Sequence, residues 1–454
     1  MKISSIARFF ASALFTGAAI AAPSQEIRSS GPAPPSQDSF YTVPDNIATY
    51  APGAIIKHRQ PPSEIAAFGI SKVNLQSTYQ ILYRTTDNHG NATATVVSVL
   101  VPHNADMGKV LSYQVAEDAA SIDCAPSYAF QFRSATGPLL GTIVTQLELL
   151  LIEAALEQGW VVIVPDFLGP KASYLANKLA GHATLDGIRA TISSTSFTGV
   201  RSDPNIVMWG YSGGSVATNW AAELQPTYAP ELRILGAAVG GTVPKVSSVV
   251  RTINKGPLAG FIPAGIMGMI SQYPELRDII ESHLKPSYSE KFHTVLHQCL
   301  AATAARFAFD DVLSEFTVPN LILTDPTATR ILNENDLGLN TPAIPFFWYK
   351  SIFDEVSPID DTDDLVDSYC NRGVSIEYWR DLLSEHGAAA ATGAPKALSW
   401  LKERLDGKAP ATGCSTKSKA SSLLDLSTAK ILPKFILDAV LDLLAHKPVG
   451  PLIG

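Results

Sequence analysis

The sequence predicts an α/β fold, a mostly parallel sheet with helices on both faces and a helical insertion late in the chain. Three observations carry this. From Thr78 onward, strand-like and helix-like segments alternate. Between about residues 242 and 326 that rhythm breaks and the pattern turns helical. Gly210-Tyr211-Ser212-Gly213-Gly214 joins the apolar, β-prone run 205–209 to the helix-suited run 215–224, which gives a strand, a sharp turn and a helix.

The elements follow in order. Lys2 and Arg8 precede an apolar stretch from Phe9 to Ile20, and Ala19-Ile20-Ala21 ends it. This reads as an export leader, 1–21, because the apolar run is too short to span a bilayer. Residues 22–62 are rich in Pro, Ser and Gln and are expected to wrap the surface. The runs 79–85 and 92–101 read as neighbouring strands, with the glycosylation sequon Asn91-Ala92-Thr93 between them and therefore on the surface. A strand over 108–114, a helix over 145–158, a buried strand over 160–164 and a helix over 175–194 precede the turn at Ser212. A strand over 233–239 follows it.

The insertion, 242–326, is expected to cover the C-terminal edge of the sheet, where open α/β sheets place their sites. Its segment Gly256–Ile270 is apolar yet punctuated by Gly and Pro, which suits an irregular or mobile cover as well as it suits core packing. Strand patterns return at 345–350 and 374–379. The core is thus divided into 22–241 and 327–414, with a C-terminal extension over 415–454. In that extension Phe435, Ile436, Ala439, Val440, Leu443 and Leu444 recur at helical spacing, a second candidate cover.

Composition bounds the function. With 454 residues, 46% of them hydrophobic, a large core is available. A net charge of −8 argues against nucleic acid as a partner. No run after the leader approaches a transmembrane helix. Cys124, Cys299, Cys370 and Cys414 make an even count, which in an exported protein implies two disulfides, with three pairings open.

The turn at Ser212 carries the chemistry. A G-x-S-x-G turn between strand and helix strains the serine backbone and aims helix N-terminal N–H groups at its oxygen, where negative charge develops in acyl transfer. A serine needs a base, oriented by an acid. Of the histidines after Ser212, His386 lies in a loop after the late strand, where a base belongs, whereas His283, His293 and His297 fall in the insertion and His446 in the tail. Asp354 directly follows the preceding strand and is the acid expected, with Glu355 beside it as the alternative; Asp360, Asp361, Asp363 and Asp364 read as the flank of a helix start. His293 and His297 sit at i, i+4, but Thr294 stands where a zinc-protease motif needs glutamate. Neither a P-loop nor a G-x-G-x-x-G occurs, so neither a metal nor a nucleotide cofactor is implied.

Further segments carry a resemblance: 113–119 (YQVAEDA), 124–128 (CAPSY), 185–190 (LDGIRA), 228–232 (YAPEL), 256–261 (GPLAGF), Asp354-Glu355-Val356-Ser357-Pro358 and Glu385-His386. Together with the Ser212 turn, from about Tyr79 to Cys414, the chain resembles the fungal secretory lipases. The resemblance implies an α/β-hydrolase core with a helical lid between core strands and the triad Ser212, Asp354 and His386. It also implies an oxyanion hole from the backbone N–H groups of Gly213 and Asp118, and the pairs Cys124–Cys299 and Cys370–Cys414. The function expected is a secreted carboxylester hydrolase that cleaves acylglycerols or related lipid esters through an acyl-enzyme, without metal or cofactor and with transient contact to a lipid interface. A deacylase of a small secreted metabolite on the same triad is the alternative. Residues 415–454 extend past the family's usual end, and lid residues cannot be matched one by one, so acyl-chain preference stays open.

Overall fold

The structure is a computed structural model that describes residues 31–67, 71–134, 143–420 and 449–451. The leader and the apolar repeat of the tail lie outside the described residues.

Ten strands form one sheet: β1 (Ile55–Arg59), β2 (Ser77–Thr86), β3 (Ala92–Val101), β4 (Asp106–Gln114), β5 (Trp160–Pro165), β6 (Asn205–Tyr211), β7 (Ile234–Gly240), β8 (Phe346–Ser351), β9 (Ile376–Asp381) and β10 (Cys414–Lys419). Their order is β1-β2-β3-β5-β4-β6-β7-β8-β9-β10. The first three strands join antiparallel, β3 pairs antiparallel with β5, and from β5 to β10 every pairing is parallel.

The alternation of the strands builds two cores. In β5, Val161 and Ile163 face one side with Val97 and Met208, while Val162 and Val164 face the other with Val207 and Trp209. Every residue of β5 is buried, which a central strand covered on both faces requires. Helices α2 (Asn177–Ile192) and α3 (Gly213–Tyr228) cover the first face, and α11 (His386–Leu405) covers the second, together with α1 (Ile143–Leu156).

Between β7 and β8 the chain forms α4 (Val246–Ile253), α5 (Phe261–Ile270), α6 (Pro274–His283), α7 (Pro286–His293), α8 (Leu300–Phe307) and α9 (Pro326–Glu334). The segment expected to be irregular is mostly α5, with Ile262, Ile266, Met267, Met269 and Ile270 buried. It is apolar on all sides because it is enclosed on all sides: it packs with Phe167, Leu168 and Tyr174 of the core and with Phe292, Val295 and Phe307 of the neighbouring helices. The disulfide Cys124–Cys299 fastens this block to the core, and Cys370–Cys414 joins the end of α10 (Ile359–Asn371) to the start of β10.

Two edge strands differ from the sequence reading. β1 lies within the stretch expected only to wrap the surface, and β10 runs past the boundary expected at 414. In β10, Ser415-Thr416-Lys417-Ser418 is exposed and polar, so no apolar alternation marks it. Asn91 is exposed at the tip of the β2–β3 hairpin. No described helix is long and apolar enough to cross a membrane.

Candidate active site

Ser212 sits between β6 and α3 with φ 49° and ψ −122°, a strained conformation for a residue bearing a Cβ. Its neighbours allow the turn. A Cβ on Gly214 would lie 1.9 Å from the Gln114 carbonyl oxygen, so β4 and α3 approach this closely only because residue 214 has no side chain. The Ser212 N–H donates to the Gly240 carbonyl at 2.9 Å, which ties the turn to β7.

The loop after β8 brings Asp354, and His386, expected in a loop, is the first residue of α11 just after β9. His386 Nε2 lies 2.8 Å from Ser212 Oγ, and its Nδ1 lies 2.7 Å from Asp354 Oδ2. Asp354 Oδ1 accepts the N–H groups of Val356 and Ser357, at 2.9 and 2.8 Å. Burial alone would push the Asp354 carboxyl up. The charge and hydrogen bond of His386, the Lys350 ammonium and the Ser357 N–H reverse this and hold it well below the usual carboxylate range. Asp354 is therefore an anion aimed at the imidazole, the arrangement that fixes the ring's tautomer and stabilises an imidazolium.

Glu355, the alternative acid, does something else. Its carboxylate accepts the backbone N–H of His386 at 2.8 Å. The Tyr211 hydroxyl, one residue before the serine, donates to the His386 carbonyl. The His386 loop is braced in turn by Asp381, which accepts the N–H groups of Leu383 and Ser384, and by the Ser351 hydroxyl, which donates to the Ser384 carbonyl.

Asp118 and Gly213 line the same cavity as Ser212. Asp118 has φ 44°, and its carboxylate lies where a Cβ on Gly213 would fall, 1.9 Å from Oδ1. Burial pushes the Asp118 carboxyl up to about 7, with the charge of His386 pulling the other way. The cavity runs from Ser212 under Val246, Val250, Phe261 and Ile262. It is apolar and narrow, about 50 Å³.

His293 and His297 do not converge. His293 Nε2 pairs with Glu281 at 2.9 Å, and its Nδ1 lies against the Ser289 carbonyl. Among the described residues, no group of three His, Cys, Asp or Glu could hold a metal ion. The sequence reading did not single out Lys350 or Tyr211. Lys350 left a signal: it is a charge at the end of the otherwise apolar run Phe346-Phe347-Trp348-Tyr349, in a strand buried throughout.

The secretory lipase family model matches residues 131–413. The chain is 48% identical to Lipase A of Arthroderma benhamiae, over 92% of this chain and 90% of that protein. It is 35% identical to Lipase 1 of Candida albicans, over 92% of this chain and 90% of that one. Among solved structures, Candida antarctica lipase A in its closed state matches with a TM-score of 0.79 and 30% identity, covering 93% of this chain and 99% of that one.

Proposed function

The chain belongs to the secretory lipase family, and from that premise we propose that it is a secreted serine carboxylester hydrolase acting on acylglycerols or related lipid esters through an acyl-enzyme at Ser212. The observation that carries this reading is the continuous run of hydrogen bonds Ser212 Oγ–His386 Nε2 and His386 Nδ1–Asp354 Oδ2, at 2.8 and 2.7 Å.

His386 takes the Ser212 proton as Oγ attacks the ester carbonyl carbon. The carbonyl oxygen gains the negative charge and is held by the backbone N–H groups of Gly213 and Asp118. As the tetrahedral intermediate collapses, His386 returns the proton to the leaving alcohol and the acyl group stays on Ser212. His386 then takes a proton from water as the water oxygen attacks the acyl carbonyl, and gives it to Ser212 Oγ as the acid leaves. Each proton starts and ends on an oxygen, and no step of this cycle calls for a metal or cofactor. Export is supported by family membership and by the two disulfides, which suit an oxidising compartment. The helices over 242–326 serve in this reading as the lid of the acyl site.

The test is covalent labelling with a fluorophosphonate followed by peptide mapping. Modification at Ser212, with loss of hydrolysis, supports the reading. Full hydrolysis by an enzyme labelled at Ser212 would sink it. The narrow cavity favours one second reading, a deacylase of a small ester. In this conformation it holds only a few waters' worth of free space, at about 10–15 Å³ per water. Rates on p-nitrophenyl esters from acetate to palmitate separate the two: a maximum at acetate, with no turnover of triglyceride, favours the deacylase.

A further inference from the structure

Lys350 lies behind the proposed triad, on β8, with its side chain 1% exposed. Burying an ammonium is costly unless it is fully matched. Here Nζ donates to the Thr242 carbonyl at 2.8 Å and pairs with Asp354 Oδ2 at 2.9 Å. That oxygen is the one that faces His386 Nδ1 at 2.7 Å. One carboxylate oxygen is thus shared by an ammonium and an imidazole, while the other oxygen is filled by two backbone N–H groups.

The surrounding charges leave this pairing intact. Asp361, on α10, has its own cation in Lys245 at 2.9 Å. Glu355 spends its carboxylate on the His386 N–H. Asp118 faces His386 from the loop after β4, and Tyr211 holds the His386 carbonyl from the end of β6. Asp354 is the anion left to match Lys350.

We propose that Lys350 is a positioning residue of this site: it fixes the Asp354 carboxylate and sets the pH below which activity falls. This rests on the triad reading above. The ammonium and the ring N–H compete for Oδ2. A cation on that oxygen draws its electron density away from the Nδ1–H bond. The ammonium's positive charge, on the oxygen that faces the ring, works against a second positive charge there, so its removal should move the acid limb of activity up. The ammonium also removes the carboxylate's freedom to rotate, so the ring is presented to Ser212 in one orientation.

The experiment is the pH dependence of kcat/KM on a soluble short-chain ester for the wild type, Lys350→Met and Lys350→Arg. Lys350→Met should move the acid limb up by about one pH unit, a tenfold loss well below the limb. The high-pH plateau should stay within about tenfold. Lys350→Arg, which keeps the charge, should restore the limb. An unmoved limb in Lys350→Met, whatever its plateau, overturns the proposal and leaves Lys350 a packing residue. If that variant does not fold, Lys350→Gln keeps a donor without the charge and must show the same upward shift, and an unmoved limb there also overturns the idea. If neither folds, the charge serves the fold rather than the pH limit of activity, and the proposal is overturned. Ser212→Ala tests the underlying reading separately, since hydrolysis and labelling that survive in it would remove the triad itself.

Discussion

His386 is held by its backbone as well as by its ring. The ring lies between Ser212 and Asp354, the N–H is held by Glu355, and the carbonyl is held by the Tyr211 hydroxyl. Proton transfer over hydrogen-bond distance is steep in geometry, so these clamps should act on turnover rather than on substrate binding. Tyr211→Phe and Glu355→Ala should each lower kcat by about tenfold with KM little changed, and Glu355→Gln, which keeps an acceptor, should lower it less. Steady-state kinetics on a soluble ester checks this; a raised KM with unchanged kcat would place both residues in binding instead. Ser212→Ala and His386→Ala should each cost about 10⁴-fold or more in kcat, and the double variant little beyond either. Ser212, His386 and Asp354 were legible because a contiguous turn announces the serine, and loops after successive strands announce the other two. Asp118 was named only through resemblance, since which residue reaches the Ser212 cavity depends on how the loop after β4 folds.

The helices between β7 and β8 are tied to the core by polar bonds as well as by apolar packing. Asn88, near the tip of the β2–β3 hairpin, donates to Tyr273 Oη at 2.9 Å and Asn335 Oδ1 at 3.1 Å. Asn335 in turn receives the Asn177 N–H at 2.8 Å and donates to Tyr273 Oη at 3.0 Å. These side chains are buried, so deleting one strands several donors and acceptors at once. Asn335→Ala should cost about 2–3 kcal/mol. It should also increase proteolytic cutting within 242–334, while fluorophosphonate labelling at 25 °C stays near the wild-type rate. Cutting confined to other parts of the chain would show that the network does not hold the block. Together with Cys124–Cys299, this argues that access to Ser212 does not come from the whole block swinging away. The apolar character of 256–270 was plain in the sequence, but its enclosure was not. A helix apolar on every side looks the same whether it faces lipid or protein, and only the neighbours, Tyr174 and Phe307 among them, decide. The edge strands escaped notice for the opposite reason: β10 is polar and exposed, and β1 is a half-buried run of five residues, Ile55 to Arg59, too short to show a period.

Across the whole molecule, buried acids set how stability responds to pH. Burial pushes the carboxyls of Asp118 and Asp166 up to about 7 and that of Glu148 up to about 8. In Asp166 the two hydrogen bonds from Ser127 oppose this, and in Glu148 those from Tyr113 and the Ala116 N–H do. Unfolded, these groups release their protons near 3.8 and 4.5. Between those values and 7 to 8, the native state therefore binds protons that the unfolded chain has lost, and stability falls as pH rises. Other groups run the other way, His182 and Asp354 among them. Burial lowers His182 from 6.5 to about 4, so its contribution is complete above 6.5 and is lost as pH drops toward 4. Asp354, held low by His386 and Lys350 against its burial, contributes above 3.8 and loses that contribution only in stronger acid. From pH 6.5 to 8 neither opposes the raised acids, and His293, held above 6.5 against its burial by its bonds to Glu281 and the Ser289 carbonyl, adds to the fall. The melting temperature should fall across this window by at least about 2 °C. Asp166→Asn, an amide of the same shape that still bonds Ser127, should flatten the slope by removing one of these titrations. Calorimetry at closely spaced pH values decides: a melting temperature that is level or rises from 6.5 to 8 would mean that these carboxyls are already ionised in the folded protein, and that their burial is relieved by water or by motion of the loops that carry them.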